Sequence, residues 1–110
     1  MKTEKFNEVI HEQIVRSLDV LVVKAKEYAT DDRLHNFKVA AVLQHETPVQ
    51  ALQGMMAKHT VSINDMCNSG FPYHTEVWNE KITDSINYLL LLRALVEESQ
   101  HEIKSLEEKQ

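Results

Sequence analysis

Helix-breaking residues are scarce in this chain, which has two glycines and two prolines among 110 residues. An all-β fold needs many turns and uses glycine and proline to make them, so this composition argues against one. Apolar residues instead recur at helical spacing along most of the chain. The sequence therefore predicts an all-α protein, a four-helix bundle-like single domain over residues 1–110 with a long C-terminal helix.

The first two helices are predicted at residues 4–28 and 31–45. Thr30 is placed to cap the second, and Asp31 and Asp32 suit the positive end of its dipole. The first helix carries an apolar stripe with polar residues on the other side, and we expect the stripe to be buried. Its members are Phe6, Ile10, Ile14, Leu18, Leu21, Val22 and Ala25.

The third helix is predicted from Pro48 to near Cys67. Thr47, Pro48 and Gln50 have the pattern of a capping box with proline at the first helical position. The fourth is predicted from after Thr75 to about residue 106, which is ~45 Å at 1.5 Å per residue. The apolar faces of the first and fourth helices are broader than one small bundle can cover, so we predict a homodimer.

Charge and cysteine content narrow the functional classes. The net charge is −5, whereas surfaces that bind nucleic acid directly are usually basic. Cys67 is the single cysteine, which excludes a disulfide within the chain and favours the reducing cytoplasm. We find no secretory signal, and the longest apolar run, residues 88–92, is far shorter than the ~20 residues of a membrane span. We expect a cytoplasmic protein with no membrane partner.

Glu80, Asp84 and Asn87 form the leading candidate site. Positions i, i+4 and i+7 lie on one side of a helix, and here they adjoin an apolar stripe. Asparagine is a poor residue for a helix interior, and Asn87 lies within the most apolar part of the chain. The row predicts a Mg²⁺ site, since Mg²⁺ binds one or two carboxylates plus substrate phosphates. The alternative interpretation is a solvated helix face.

Two further groups are candidates for binding. Lys24, Glu27 and Asn36 cluster where the first helix passes to the second, and Glu27 could complete a metal site with Glu80 and Asp84. Lys58 on the third helix could contact phosphate. The alternatives are a polar turn and a surface lysine. The histidines have no zinc-binding spacing, and no Walker A or dinucleotide fingerprint is present.

The order of these motifs resembles that of the MazG-like all-α NTP pyrophosphohydrolases. It is most similar to small phage and prophage domains associated with nucleotide modification, and the similarity spans residues 24–95. The motifs are Lys24 to Tyr28, Asn36 with Phe37, the helix from Pro48 through Lys58, and Asp84 to Tyr88. Glu27 stands where these domains usually have Asp, and the carboxylates Glu80 and Asp84 are four residues apart instead of three.

The resemblance implies Mg²⁺-dependent hydrolysis of a nucleoside triphosphate, including ordinary or modified dNTPs, to the monophosphate and pyrophosphate. Glu27, Glu80 and Asp84 would bind the metal, with Glu80 and Asp84 catalytic. Lys24, Asn36, Lys58 and Asn87 would bind the substrate. The alternative function is a non-catalytic helical phage or prophage accessory protein that binds a host protein or senses a nucleotide.

Overall fold

Four α-helices and one π-helical segment make up the computed structural model, which describes residues 1–23 and 31–109. The elements are α1 (Thr3–Leu18), the π-helical segment Asp19–Val23, α2 (His35–Gln44), α3 (Pro48–Ser69) and α4 (Thr75–Glu108). No strand occurs in the described part of the chain. The predicted all-α class with a long C-terminal helix is confirmed.

The first helix differs from its prediction. The α-helix ends at Leu18, and its continuation is π-helical. Val20, Val22 and Val23 lower the α-helical propensity here because β-branched side chains crowd the preceding turn. The backbone carbonyl of Leu21 accepts a hydrogen bond of 2.8 Å from Arg33 Nη2. Residues 24–28 of the prediction lie outside the described residues.

The second helix begins later than its predicted start at Asp31. Asp32 Oδ1 accepts a hydrogen bond from the backbone N–H of Leu34, which forms a turn before the helix starts at His35. Thr30, the predicted cap, lies outside the described residues. The turn leaves the other oxygen of the Asp32 carboxylate to pair with Lys38.

The α3–α4 hairpin has the capping features that its sequence predicts. Thr47 Oγ1 accepts from the backbone N–H of Gln50, whose side chain accepts from the backbone N–H of Thr47. At the other end, Gly70 closes α3 with φ 70°, a left-handed conformation that glycine adopts without strain. The ring of Tyr73 packs edge-on against Trp78, with 6.0 Å between centroids. These contacts fix the turn between the two longest helices.

A small apolar core joins α2, α3 and α4. Leu34, Phe37, Leu52 and Leu95 are buried in it, and Leu52 is fully buried. Half-buried side chains surround this core: Met55, Met56, Tyr88, Leu91 and Leu92. Helix α4 packs against both α1 and α3, while α2 packs on α3. The core therefore holds three helices together without α1.

Polar side chains join α1 to α4. Gln13 Nε2 donates to Thr83 Oγ1 at 3.0 Å and lies 3.1 Å from Ser17 Oγ, and Ser17 and Thr83 are both buried. Leu21 and Val22 share a cleft with Leu90 and Ala94 farther along α4, so α1 runs in the same direction as α4.

The apolar stripe of the first helix is therefore not buried as predicted. Phe6, Ile10, Ile14 and Leu18 are about half exposed. Ser17 is the one buried residue of α1. The physical reason is that, among the described residues, α1 packs mainly on α4, and the face it presents there carries Gln13 and Ser17.

Leu52→Ala should lower the free energy of unfolding by about 2–5 kcal/mol, because the surrounding helices cannot close the cavity completely. Urea unfolding followed by circular dichroism measures the change. The control is Val61→Ala on the same helix, whose side chain is 57% exposed and whose loss should cost less than about 1 kcal/mol. Equal losses for both variants would contradict a core centred on Leu52.

Candidate functional site

The candidate site lies along α4 where this helix passes between α1 and α3. Thr83 contacts Gln13 of α1, and the next residue, Asp84, approaches His59 of α3. Glu80 lies about one helical turn before Asp84 and Asn87 about one turn after it. On the circumference of α4, both lie between the side that faces α1 and the side that faces α3. The predicted row of Glu80, Asp84 and Asn87 therefore follows the groove between α1 and α3.

Asp84 and His59 approach each other in this groove. Asp84 Oδ2 lies 3.9 Å from His59 Nδ1, and the His59 ring packs against Tyr88 with 4.9 Å between centroids. A separation of 3.9 Å is too long for a hydrogen bond, and an ion pair forms only when the imidazole is protonated. Tyr88 and the half-buried position of His59 hold the ring beside the carboxylate.

Asn87 is the most deeply buried member of the row, at 6% exposure. Its Oδ1 atom has no hydrogen-bond partner among the described residues. Buried polar atoms are rarely left without partners, because desolvation without a hydrogen bond costs free energy. The amide oxygen of Asn87 is therefore a buried acceptor beside the groove that no described residue pairs.

The remaining predicted site residues are placed differently. Glu80 is exposed on α4, Lys58 is exposed on α3, and Asn36 is exposed in the first turn of α2. Within the described residues, neither Lys58 nor Asn36 forms a hydrogen bond or ion pair with the carboxylate row. Lys24 and Glu27 lie outside the described residues, so the predicted convergence of Glu27 with Glu80 and Asp84 stays a prediction.

The donors of the row suit Mg²⁺ in chemical type. Glu80 and Asp84 supply hard carboxylate oxygens one helical turn apart, and Mg²⁺ is commonly bound by one or two carboxylates together with substrate phosphates. Over residues 1–23 and 31–109, no group of three or more His, Cys, Asp or Glu side chains is placed to hold a metal ion. The described residues thus offer part of a ligand set.

A second charged cluster connects the start of α2 to α4. Lys38 Nζ lies 2.7 Å from Asp32 Oδ2 and 2.6 Å from Glu98 Oε1. The hydrogen bond from Lys38, with a second from the backbone N–H of Leu34, lowers the pKa of Asp32 below its ordinary value. The same carboxylates raise the pKa of Lys38 above its ordinary value.

An open cleft of about 400 Å³ lies beside this cluster. Its walls are mainly apolar, with Asp32, Arg33 and Glu98 at the rim. The apolar lining comes from Leu21, Val22, Leu34, Leu90, Leu91 and Ala94. The cleft continues the groove beyond Asn87, because Leu91 is one turn farther along α4.

Sequence reasoning missed His59, Lys38 and Glu98. His59 could have been found from the hairpin, since residues equally distant from the loop at 70–74 face each other in antiparallel helices. This counting pairs position 59 with position 85, which is next to Asp84. No comparable local signal connects Lys38 to Glu98, which are 60 residues apart in the chain.

No helix in the described part of the chain is both long and apolar enough to cross a membrane. A scan against known protein families, a search of curated proteins and a search of solved structures each found no match to this chain.

Replacing Lys38 with methionine should lower stability at pH 7, because Asp32 and Glu98 lose the cation between them. Asp32 has a lowered folded pKa, so its contribution is present above its ordinary pKa of 3.8 and disappears as pH falls through the folded value. The stability margin of the wild type over Lys38→Met should therefore shrink below pH 3.8. Urea unfolding across pH measures it.

The control for this prediction is Lys5→Met, which removes an exposed pair with Glu8 at 3.5 Å on α1. Exposed i, i+3 pairs contribute little, so this variant should unfold almost like the wild type. The Lys38 margin should also shrink in 1 M salt, because the cluster is partly exposed and screened. A margin that is unchanged by acid would contradict the role of the Asp32 carboxylate.

Proposed function

We propose that this protein is a Mg²⁺-dependent nucleoside triphosphate pyrophosphohydrolase that acts on ordinary or modified dNTPs in the cytoplasm of a bacterial or phage-infected cell. One observation carries the proposal: Glu80 and Asp84 share a groove with Asn87, whose buried amide oxygen has no partner among the described residues. The motif resemblance, whose last motif includes Asp84 and Asn87, favours the same function. A nucleotide site needs carboxylates to hold the cation that binds the phosphates, and a fixed polar group to orient the ligand.

Glu80 and Asp84 are the residues that would hold Mg²⁺, which when bound neutralises phosphate charge and helps to activate the attacking water. In the reaction, a water oxygen forms a bond to the α-phosphorus while the bond from that phosphorus to the pyrophosphate oxygen breaks. Glu80 is the exposed carboxylate that can accept the proton the water loses. Asn87 orients the ligand through its amide.

His59 acts in this proposal as a positioning residue. Its ring, held by Tyr88, lies 3.9 Å from the Asp84 carboxylate and limits the directions in which that carboxylate can turn. Lys58, exposed one residue earlier on α3, is the nearest lysine in sequence to His59 and is assigned to the phosphates. Lys24, Glu27 and Asn36 keep the roles that the resemblance implies.

Asp84→Asn and Glu80→Gln should each lower pyrophosphate release by about 100-fold or more, because each removes a carboxylate that would hold the Mg²⁺ that neutralises phosphate charge. A panel of dNTPs with millimolar Mg²⁺ is the assay. The matched control is Glu97→Gln, an exposed glutamate of α4 that pairs with Arg93 at 2.8 Å. This variant should retain wild-type activity, and Asp84→Asn with full activity would refute the assignment.

A second candidate function is a non-catalytic accessory protein that binds a helical host protein. Exposed apolar side chains favour it: Val42 and Leu43, at the end of α2, are each 75% exposed. Contiguous apolar surface of this kind is typical of binding sites for other proteins. The non-catalytic protein could instead be a nucleotide sensor. A sensor would bind the nucleotide in the groove between α1 and α3 without hydrolysing it.

A thermal unfolding experiment separates these functions. A ligand that binds the native state raises its stability by RT ln(1 + [L]/Kd), about 2.7 kcal/mol at a ligand concentration of 100 Kd. Mg²⁺ with a non-hydrolysable dNTP analogue should raise the Tm of the wild type and leave Asp84→Asn unshifted. A shift without pyrophosphate release from dNTPs indicates a sensor. The absence of any shift favours the host-protein candidate.

We also propose that the chain acts as a homodimer. The exposed apolar faces of α1 and α4 support this proposal, because one copy does not cover them. Sedimentation equilibrium at micromolar concentration should give twice the chain mass of 12.7 kDa. The mass of a single chain would rule the homodimer out.

A further inference from the structure

One side of α4 carries a heptad repeat over almost the whole helix. Every position is apolar or a small hydroxyl residue, at alternating spacings of three and four. The first set of positions, called a, holds Thr75, Ile82, Leu89, Val96 and Ile103, and the second, called d, holds Trp78, Ser85, Leu92, Ser99 and Leu106. A repeat of 3.5 residues sustained for more than four heptads is typical of a coiled-coil seam.

The neighbouring helices of the same chain leave the a positions of α4 uncovered, while Ser85 and Leu92 at d positions are half-buried within the chain. Thr83 is buried on the side that faces α1, Leu95 is buried in the core formed with α2 and α3, and Tyr88, Leu91 and Leu92 pack against that core. The a positions are left open. Ile82, Leu89, Val96 and Ile103 are 37–56% exposed, although they lie in the middle of a long helix.

We propose that this seam binds the same seam of a second copy of the chain, in antiparallel orientation. The register places Ile82 opposite Ser99 of the second copy, Ser85 opposite Val96, and Leu89 opposite Leu92. This inference specifies the interface of the proposed homodimer and does not depend on the nucleotide chemistry.

Coverage of the seam supports this register. Helix α4 has 34 residues, ~51 Å at 1.5 Å per residue, and the longest dimension of the molecule is 55 Å. In the proposed register all ten seam positions meet a partner position, including Trp78 opposite Ile103. A shift of one heptad in one direction leaves Ile103 and Leu106 without partner positions. A shift of one heptad in the other direction leaves Thr75 and Trp78 without partner positions.

Flanking charges support the same orientation. The antiparallel register sets Lys81 beside Glu102 of the second copy, and two-fold symmetry produces this pair twice. A shift of one heptad that unpairs Trp78 would instead place Arg93 beside Arg93. A parallel pair would set Glu102 beside Glu107. Flanking charges of this kind determine orientation and partner choice in coiled coils.

Disulfide cross-linking between two differently tagged chains tests the register. Both chains carry Cys67→Ser, because Cys67 is exposed; one carries Ile82→Cys and the other Ser99→Cys. The mixture should form a disulfide-linked heterodimer under mild oxidation, and neither chain alone should form a linked homodimer. The control replaces Ile82→Cys with Glu97→Cys, exposed on α4 away from the seam, and should give no linked heterodimer.

Each other outcome overturns the proposal in a distinguishable way. Linked homodimers of the single variants would indicate a parallel seam. A dimer by sedimentation without any cross-link would place the interface elsewhere and leave the homodimer intact. A single-chain mass would overturn both. Pyrophosphate release, measured separately on the wild type, reports on the enzyme proposal alone.

Charge reversal gives a second test that leaves the apolar seam intact. Lys81→Glu and Glu102→Lys should each raise the dimer Kd by roughly 2- to 30-fold, since two exposed pairs are lost per dimer. The double variant should recover most of the affinity. Glu107→Lys should leave Kd unchanged, whereas in a parallel dimer it would tighten binding. Loss of affinity in the double variant equal to the sum of the single losses would contradict the Lys81–Glu102 pair.

Discussion

The packing of α3 against α4 is the interaction on which the rest of this structure depends. Leu52 and Leu95 are buried together, and α2 joins them through Leu34 and Phe37. The capping box fixes where α3 begins, and the left-handed Gly70 sets where the hairpin begins to turn. Because His59 and Asp84 are almost equally distant from that turn, the same pairing that forms the core also brings these two residues of the candidate site together.

The four sides of α4 have four different uses. Thr83 faces α1, the core residues face α2 and α3, the row of Glu80, Asp84 and Asn87 follows the groove, and the heptad a positions remain exposed. The contact with α1 is polar and small, so α1 contributes little apolar burial in one copy. A chain of this size buries limited surface by itself, and the proposed dimer would add apolar burial where it is missing.

The candidate site could be predicted from the sequence only in part. The row of Glu80, Asp84 and Asn87 follows from helical geometry, because i, i+4 and i+7 share a side of any α-helix. The burial of Asn87 and its unpartnered oxygen depend on which elements cover that side. The bridge from Asp32 through Lys38 to Glu98 joins distant parts of the chain, and no local pattern specifies it.

The amino-acid sequence by itself determined the helical class, the capped start of α3, the loop at Gly70 and the length of α4. These features depend on residues within a few positions of one another. The tertiary structure alone decided which side of each helix is covered. It placed Gln13 and Ser17 against α4 and left Ile10 and Ile14 exposed, because burial depends on the direction from which a neighbouring helix approaches. That direction is a property of the whole packing arrangement, and helical periodicity does not contain it.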